Sequence, residues 1–268
     1  MSISGSYWRA DKNNQALQRI AGIIFPSEQA MQEYEHLKEE AALCDHRRIG
    51  KQQDLFSFHD AAVGFPFFHP KGLVIFNKLV ENMRNAQKNV YTEVKTAQIM
   101  SETLWKMSGH YDHYREKMYF TNIDDHPYCI KPMSCPGAHL LFNERPRSYR
   151  ELPMRLSEFG FVHRHELSGV LHGLFRVRAF TQDDAHIFCT PDQLEQEIAQ
   201  VIKLVTDTYR QFSFKSVRMA LATRPKDSMG SDELWEKATS ALRNALDKNN
   251  VTYEVREGDG AFYGPKVD

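Results

Sequence analysis

Hydrophobic side chains recur along this chain at two spacings, one that suits helices and one that suits strands. Leu73, Phe76, Leu79, Val80 and Met83 share one stripe, predicting a helix of about 17 residues behind the turn Phe65-Pro66-Phe67-Phe68-His69-Pro70-Lys71-Gly72. Leu194, Ile198, Val201, Ile202, Val205 and Tyr209 do the same after Thr190-Pro191, a capping residue followed by a proline at the first helical position. Shorter helices are expected from Ser101 to Gly109-His110, with Leu104 and Trp105 inward, and from the turn Cys135-Pro136-Gly137 through Phe142; another runs from Ser231 to about Lys248. The Glu- and Lys-rich stretch from Ser27 to Arg48, ending near Gly50, has no apolar stripe and reads as a solvated connector helix. Alternating or β-rich runs predict strands over residues 20–25, 91–100, 118–122, 128–132, 162–166, 176–188, 216–222 and 252–256. The pattern is that of a mixed α/β chain, α+β in class, whose middle third is mostly strand.

The chain has 268 residues, 41% hydrophobic and 26% charged, enough to bury a sizeable core, and this excludes disordered, collagen-like and coiled-coil classes. Basic and acidic residues number 34 and 35, so no global field draws the chain to a polyanion, and any such partner must meet a local patch. No stretch has the run of about 18 apolar residues that spans a membrane, and residues 1–5 do not begin a secretory signal. A cytoplasmic protein with no membrane partner is expected. Cys44, Cys129, Cys135 and Cys189 form no C-x-x-C pair, so a metal site would need histidine.

One strand is polar on one face. From Arg176 onward the even positions are Arg176, Arg178, Phe180, Gln182, Asp184 and His186, and upstream Arg164 and Glu166 share a face in the same way. A hairpin joining the two stretches would collect three arginines, carboxylates, an amide, a histidine and one aromatic ring. A solvated sheet face explains the charges but not a lone Phe180 among them. A planar base stacked on that ring, with phosphates held by planar guanidinium groups, explains both. No phosphate-binding glycine loop is present, so side chains would have to hold the phosphates.

At these residues the chain resembles the class II aminoacyl-tRNA synthetases. His163-Arg164-His165-Glu166 resembles their second signature. Six further segments, in order, are similar to the threonyl-tRNA synthetase family: Cys44 to Lys51, Leu104 to His110, Lys131 to Gly137, Leu171 to Arg178, Phe180 to Phe188 and Gly260 to Lys266. The resemblance implies an antiparallel sheet flanked by helices and an ATP-dependent threonine–tRNA ligase, forming threonyl-adenylate and passing it to the terminal adenosine of tRNA(Thr). It implies Arg164 on the α-phosphate, Glu166 on the adenine amino group, Phe180 stacked on adenine and Arg176 near the γ-phosphate, with Mg²⁺ accompanying ATP. Cys135 and His186 resemble two of three zinc ligands, the third lying outside this chain. A zinc ion with an open position can bind the threonine hydroxyl and amino group and finds no oxygen on valine. Asp184 is implied for the substrate ammonium, with Gln182, Tyr263, Lys266 and Met133 around the pocket, and His110 beside the tRNA ribose.

The same resemblance implies a domain order: residues 1–25 as the end of an upstream editing-side domain, 26–52 as a connector, and 53–268 as a catalytic core lacking the third signature and the anticodon-binding domain. It also implies a homodimer in the full-length protein and incomplete turnover by this piece. Ala97 stands where the first signature has a proline, which puts the dimer geometry in question, and Ser134 and Ala138 replace an asparagine and a histidine. The competing readings are a non-catalytic synthetase-like protein that binds RNA or regulates, and a sibling synthetase for proline or serine. Arg145, Arg147, Arg150 and Arg155 form a basic run that fits a solvated face, an acceptor-stem contact or a dimer seam alike.

Overall fold

The computed structural model of the chain describes residues 2–7, 13, 16–214 and 216–268. It separates into two units, residues 1–55 and 56–268. In the first unit, β1 (Ser2–Tyr7) and β2 (Ala16–Ala21) form an antiparallel pair, followed by α1 (Glu28–Leu43) and α2 (His46–Gln52). The strand expected over 20–25 ends at Ala21, and Gly22 to Ile24 are exposed and irregular. The single expected helix is two. Ser27 caps α1 through the Ala30 N–H, and Asp45 begins a second helix by accepting from the Arg47 N–H at 2.8 Å, which carries the chain past Gly50.

The second unit opens with the short antiparallel pair β3 (Phe56–Ser57) and β4 (Phe67–Phe68), then α3 (Pro70–Gln87) with proline in its first turn. The segment expected as one strand over 91–100 is split into β5 (Thr92–Glu93) and β6 (Ile99–Ser101). Between them the chain leaves one sheet for another: the Val94 N–H bonds the Ser157 carbonyl, the Thr96 N–H turns to the Glu158 carboxylate, and the Gln98 carbonyl accepts from the Lys131 N–H. β6 then pairs with β8 (His126–Ile130), whose other neighbour is β7 (Tyr119–Ile123). α4 (Glu102–Met107) and α5 (His110–Tyr114) precede that hairpin, and Met100, Trp105, Met118 and Cys129 form the core between these helices and the sheet.

α6 (Cys135–Phe142) leads to β9 (Met154–His163) and β10 (Ala179–Phe188), a ten-residue antiparallel pairing extended on one side by β5, parallel to β9. Both strands are displaced from the expected ranges. Arg164 and Glu166 lie just past the end of β9, and Arg176 and Arg178 just before β10, because the 164–178 connection makes its own turns, including a bridge between His172 and Arg176. α7 (Leu194–Gln211) starts three residues after Pro191, the Gln193 side chain accepting from the Thr190 N–H. With α8 (Asp232–Lys248) it covers a small mixed sheet of β11 (Met219–Ala222), β12 (Tyr253–Arg256) and β13 (Lys266–Val267), sealing Ile202, Leu221, Ala245 and Leu246. β11 is shorter than the expected 216–222 strand, and Lys215 lies outside the described residues. The architecture is α+β with mostly antiparallel pairing. Among the described residues no helix is long and apolar enough to cross a membrane.

Candidate active site

Opposed residues of an antiparallel pair share a face, and β9 and β10 set Phe180 against Val162, Gln182 against Gly160, Asp184 against Glu158 and His186 against Leu156. The segment Lys131 to Gly137 is fixed to this face by a buried network. Lys131, 1% exposed, donates from Nζ to Glu158 Oε1 at 2.8 Å and to Thr96 Oγ1 at 3.1 Å, and Thr96 Oγ1 donates to Glu158 Oε2 at 2.9 Å. Burial raises the Glu158 carboxyl, but hydrogen bonds from Lys131 and Thr96 outweigh it and hold the group below its ordinary range. Gly160 is glycine because a Cβ there would stand 2.4 Å from Ser134 Oγ, and Gly137 because a Cβ would meet the Thr96 side chain at 2.8 Å. These approaches bring the start of α6 against the strands.

Arg164 is placed by this packing. Its Nε donates to the Pro132 carbonyl at 3.1 Å, Nη2 reaches Gln182 Oε1 at 3.5 Å, and the guanidinium lies 5.1 Å from the centre of the Phe180 ring and 5.8 Å from that of Tyr114. Glu166 accepts from Arg176 Nη2 and Nε at 3.1 and 3.2 Å, and Lys117 Nζ stands 3.7 Å from its other oxygen. All four residues expected to touch ATP, Arg164, Glu166, Arg176 and Phe180, line one cleft of about 530 Å³ with Tyr114, Lys117, Leu174, Phe175, Val177 and Thr181. Arg178 is not in it. Its guanidinium donates to the Glu166 and Val63 carbonyls and to Ser168 Oγ, so it braces the connection between the strands.

The Cys135 thiol is pushed up to about 11, mainly by burial and then by the Asp184 charge, while Arg164 pulls the other way. Burial lowers the His186 imidazole against the opposing pull of Asp184, leaving it neutral with a lone pair to offer. His139 joins this corner: its Nδ1 donates to the Cys135 carbonyl at 2.8 Å and its ring lies 6.2 Å from that of His186. Tyr263 is 61% exposed as a residue, yet desolvation, followed by Cys135 and Asp184, raises its pKa. Met133 is half-buried beside Ser134. Thiol and neutral imidazole suit zinc in kind. Cys135 and His186 are only two donors, however, and no group of three or more His, Cys, Asp or Glu residues that could hold a metal ion occurs among the described residues. Glu166, a carboxylate lining the 530 Å³ cleft, is engaged by Arg176 and Lys117.

Neither His110 nor Lys266 lines the 530 Å³ cleft. His110 begins α5, 5% exposed, edge-on to Trp105 and Phe262. Lys266, on β13, has its ammonium 2.8 Å from the Asp268 carboxylate. Residues 119–268 match the family described as the tRNA synthetase class II core domain (G, H, P, S and T). The chain belongs to this class II synthetase core family. A threonine–tRNA ligase of Caldanaerobacter subterraneus subsp. tengcongensis is 56% identical over the whole chain, and one of Clostridium botulinum (strain Loch Maree) is 55% identical. In each case the chain spans 42% of the relative's length. Among solved structures, the RNA binding domain of threonyl-tRNA synthetase from Cryptosporidium parvum Iowa II is similar with a TM-score of 0.78 and 44% identity, over 84% of this chain and 56% of that one. Within this class II core, Tyr114, Lys117 and His139 escaped the sequence reading. Tyr114 and Lys117 come from α5 and the turn after it, and no periodicity ties them to β10. His139 was visible one helical turn beyond Cys135.

Proposed function

We propose that the chain is the catalytic core of a threonine–tRNA ligase, activating L-threonine with ATP and transferring it to the terminal adenosine of tRNA(Thr). The observation that carries this reading is the gathering of Arg164, Glu166, Arg176 and Phe180 in one cleft, next to Cys135, Asp184 and His186. In the free chain Arg164 and Arg176 rest on protein partners, Phe180 and Glu166, and ATP exchanges these contacts for its own. The adenine takes the Phe180 face and donates a hydrogen bond from its amino group to Glu166, while Arg176 turns from Glu166 toward the γ-phosphate. Attack of the threonine carboxylate on the α-phosphorus builds charge on the equatorial oxygens. The Arg164 fork, already oriented by the Pro132 carbonyl, stabilises that charge with no covalent part in the step. Mg²⁺ arrives with the phosphates.

Asp184 holds the substrate ammonium, with Gln182, Met133, Tyr263 and Lys266 around it, and His110 serves the transfer step at the tRNA ribose. Cys135 and His186 would hold zinc, together with a third donor that the described residues do not supply. Bound there, zinc supplies a ligand position for the threonine hydroxyl. Residues 1–25 are read as the end of an editing-side domain, 26–52 as a connector and 53–268 as the core, acting in the cytoplasm. A homodimer is supported by the exposed apolar side chains Leu73, Val74, Ile75 and Leu79 on α3 with Phe67 and Phe68 before it. The test is calorimetric titration of a non-hydrolysable threonyl-adenylate analogue against its valyl and seryl counterparts, with zinc supplied. Threonyl binding that exceeds valyl, and a preference that disappears in Cys135→Ala, is the expected result. Absence of binding by all three analogues would sink the proposal.

A further inference from the structure

The turn between α4 and α5 contains a hydrogen-bond chain in which a single placement of protons satisfies both of its contacts. Ser108 closes α4, its N–H bonding the Leu104 carbonyl, and Gly109, at φ +73°, reverses the backbone so that His110 starts α5. The Ser108 hydroxyl lies 3.2 Å from the Trp105 carbonyl oxygen and 2.9 Å from His110 Nδ1. A carbonyl can only accept, and a hydroxyl has one proton. If Ser108 gives that proton to Trp105, it must receive one from His110. The other ring nitrogen, Nε2, is buried with no hydrogen-bond partner.

We propose that Ser108 is a positioning residue that holds His110 in the tautomer protonated at Nδ1, leaving Nε2 as a bare lone pair. Two further observations agree. Burial, the largest effect on the ring, lowers its pKa and keeps it from taking a second proton. Trp105 and Phe262 meet the ring edge-on at centroid distances of 5.7 and 5.8 Å and so restrict its orientation. Resting on the proposed ligase reading, this gives His110 its chemistry. Nε2 takes the proton that the tRNA ribose hydroxyl loses as its oxygen forms the ester bond, while the acyl–phosphate bond breaks and its electron pair leaves on adenylate. The opposite tautomer would present an N–H at the same point and could accept nothing.

Ring-nitrogen chemical shifts of isotopically labelled histidine report the tautomer directly, with His110→Gln assigning the signal. The free chain at neutral pH is expected to show His110 protonated at Nδ1. Ser108→Thr, which keeps the hydroxyl, should preserve that state, and Ser108→Ala should shift the population toward Nε2–H while the thermal midpoint stays near that of the unaltered chain. A wild-type ring protonated at Nε2, or a Ser108→Ala variant with the wild-type tautomer ratio, overturns the proposal. The spectrum is taken without ATP, amino acid or tRNA, so a failure of adenylate binding counts against the proposed activity alone.

Discussion

Arg164 is the side chain whose neighbours say most about its use. One of its edges is committed to the Pro132 carbonyl, its plane lies by Phe180, and Nη2 makes only a long contact with Gln182. A lysine would keep the charge but lose the planar fork. Arg164→Lys is therefore expected to lower threonine-dependent ATP–pyrophosphate exchange by about 10²-fold or more, in keeping with loss of a preorganised donor; a variant within a few-fold of the parent would remove Arg164 from the chemistry. The buried Lys131–Glu158 pair makes a different claim. Glu158→Ala strands an ammonium that is 1% exposed, at a cost of about 3–5 kcal/mol measured by urea denaturation. Because the Glu158 carboxyl is depressed in the fold, its contribution is complete above the ordinary carboxylate value of about 4.3 and is lost as pH falls through the lower folded value. Stability of the alanine variant should accordingly fall less steeply than that of the parent below about pH 5, and parallel curves would refute the assignment. Strand alternation exposes Phe180, Gln182, Asp184 and His186 to a reader of the sequence. Nothing local pairs Thr96 with Glu158, 62 residues on, so this network becomes visible only in three dimensions.

At the scale of elements, the junction of α6 with β9 depends on one missing methyl. Ser134 is fully buried and its Oγ has no hydrogen-bond partner, while the Gly160 backbone leaves the room it occupies. Gly160→Ala should cost about 1–3 kcal/mol by overpacking. Ser134→Ala removes an unsatisfied hydroxyl and should be neutral or stabilising. Combining them should recover much of the Gly160→Ala loss, because the Cβ then occupies the space left by Oγ; strictly additive free energies would show that the two residues do not share it. The elements themselves were legible to unequal degrees. α3, α8 and β10 follow from stripes, caps and alternation, whereas β9 meets the expected 162–166 strand only at Val162 and His163. The break between β5 and β6 does not, since 91–100 is uniformly strand-like and only the Glu158 carboxylate, drawing off the Thr96 N–H, diverts the chain to a second sheet. The division of α1 from α2 rests on Asp45, whose capping competes with a helix pattern that runs straight through it.

Over the whole molecule, burial is uneven, and this determines where the chain should open first. In unit 56–268, Leu221, Ala222 and Leu246 are completely buried, and Trp105 and Cys129 likewise. In unit 1–55, α1 buries no residue at all along its 16 positions. Its support is local: the Ser27 cap and side-chain contacts one turn apart, such as Gln29 to Glu33 at 3.0 Å. A helix of that length with no packed face is marginal in water, because propagation scarcely offsets the cost of nucleation. Amides of residues 28–43 are thus expected to exchange with deuterium at rates set by local fraying, orders of magnitude faster than those of Leu221 and Ala222, which should open only with the unit as a whole. Hydrogen exchange resolved by peptide would check this directly. Protection of 28–43 comparable to that of 219–222 would mean that in solution something covers the helix, and the solvated-connector reading of this segment would fall.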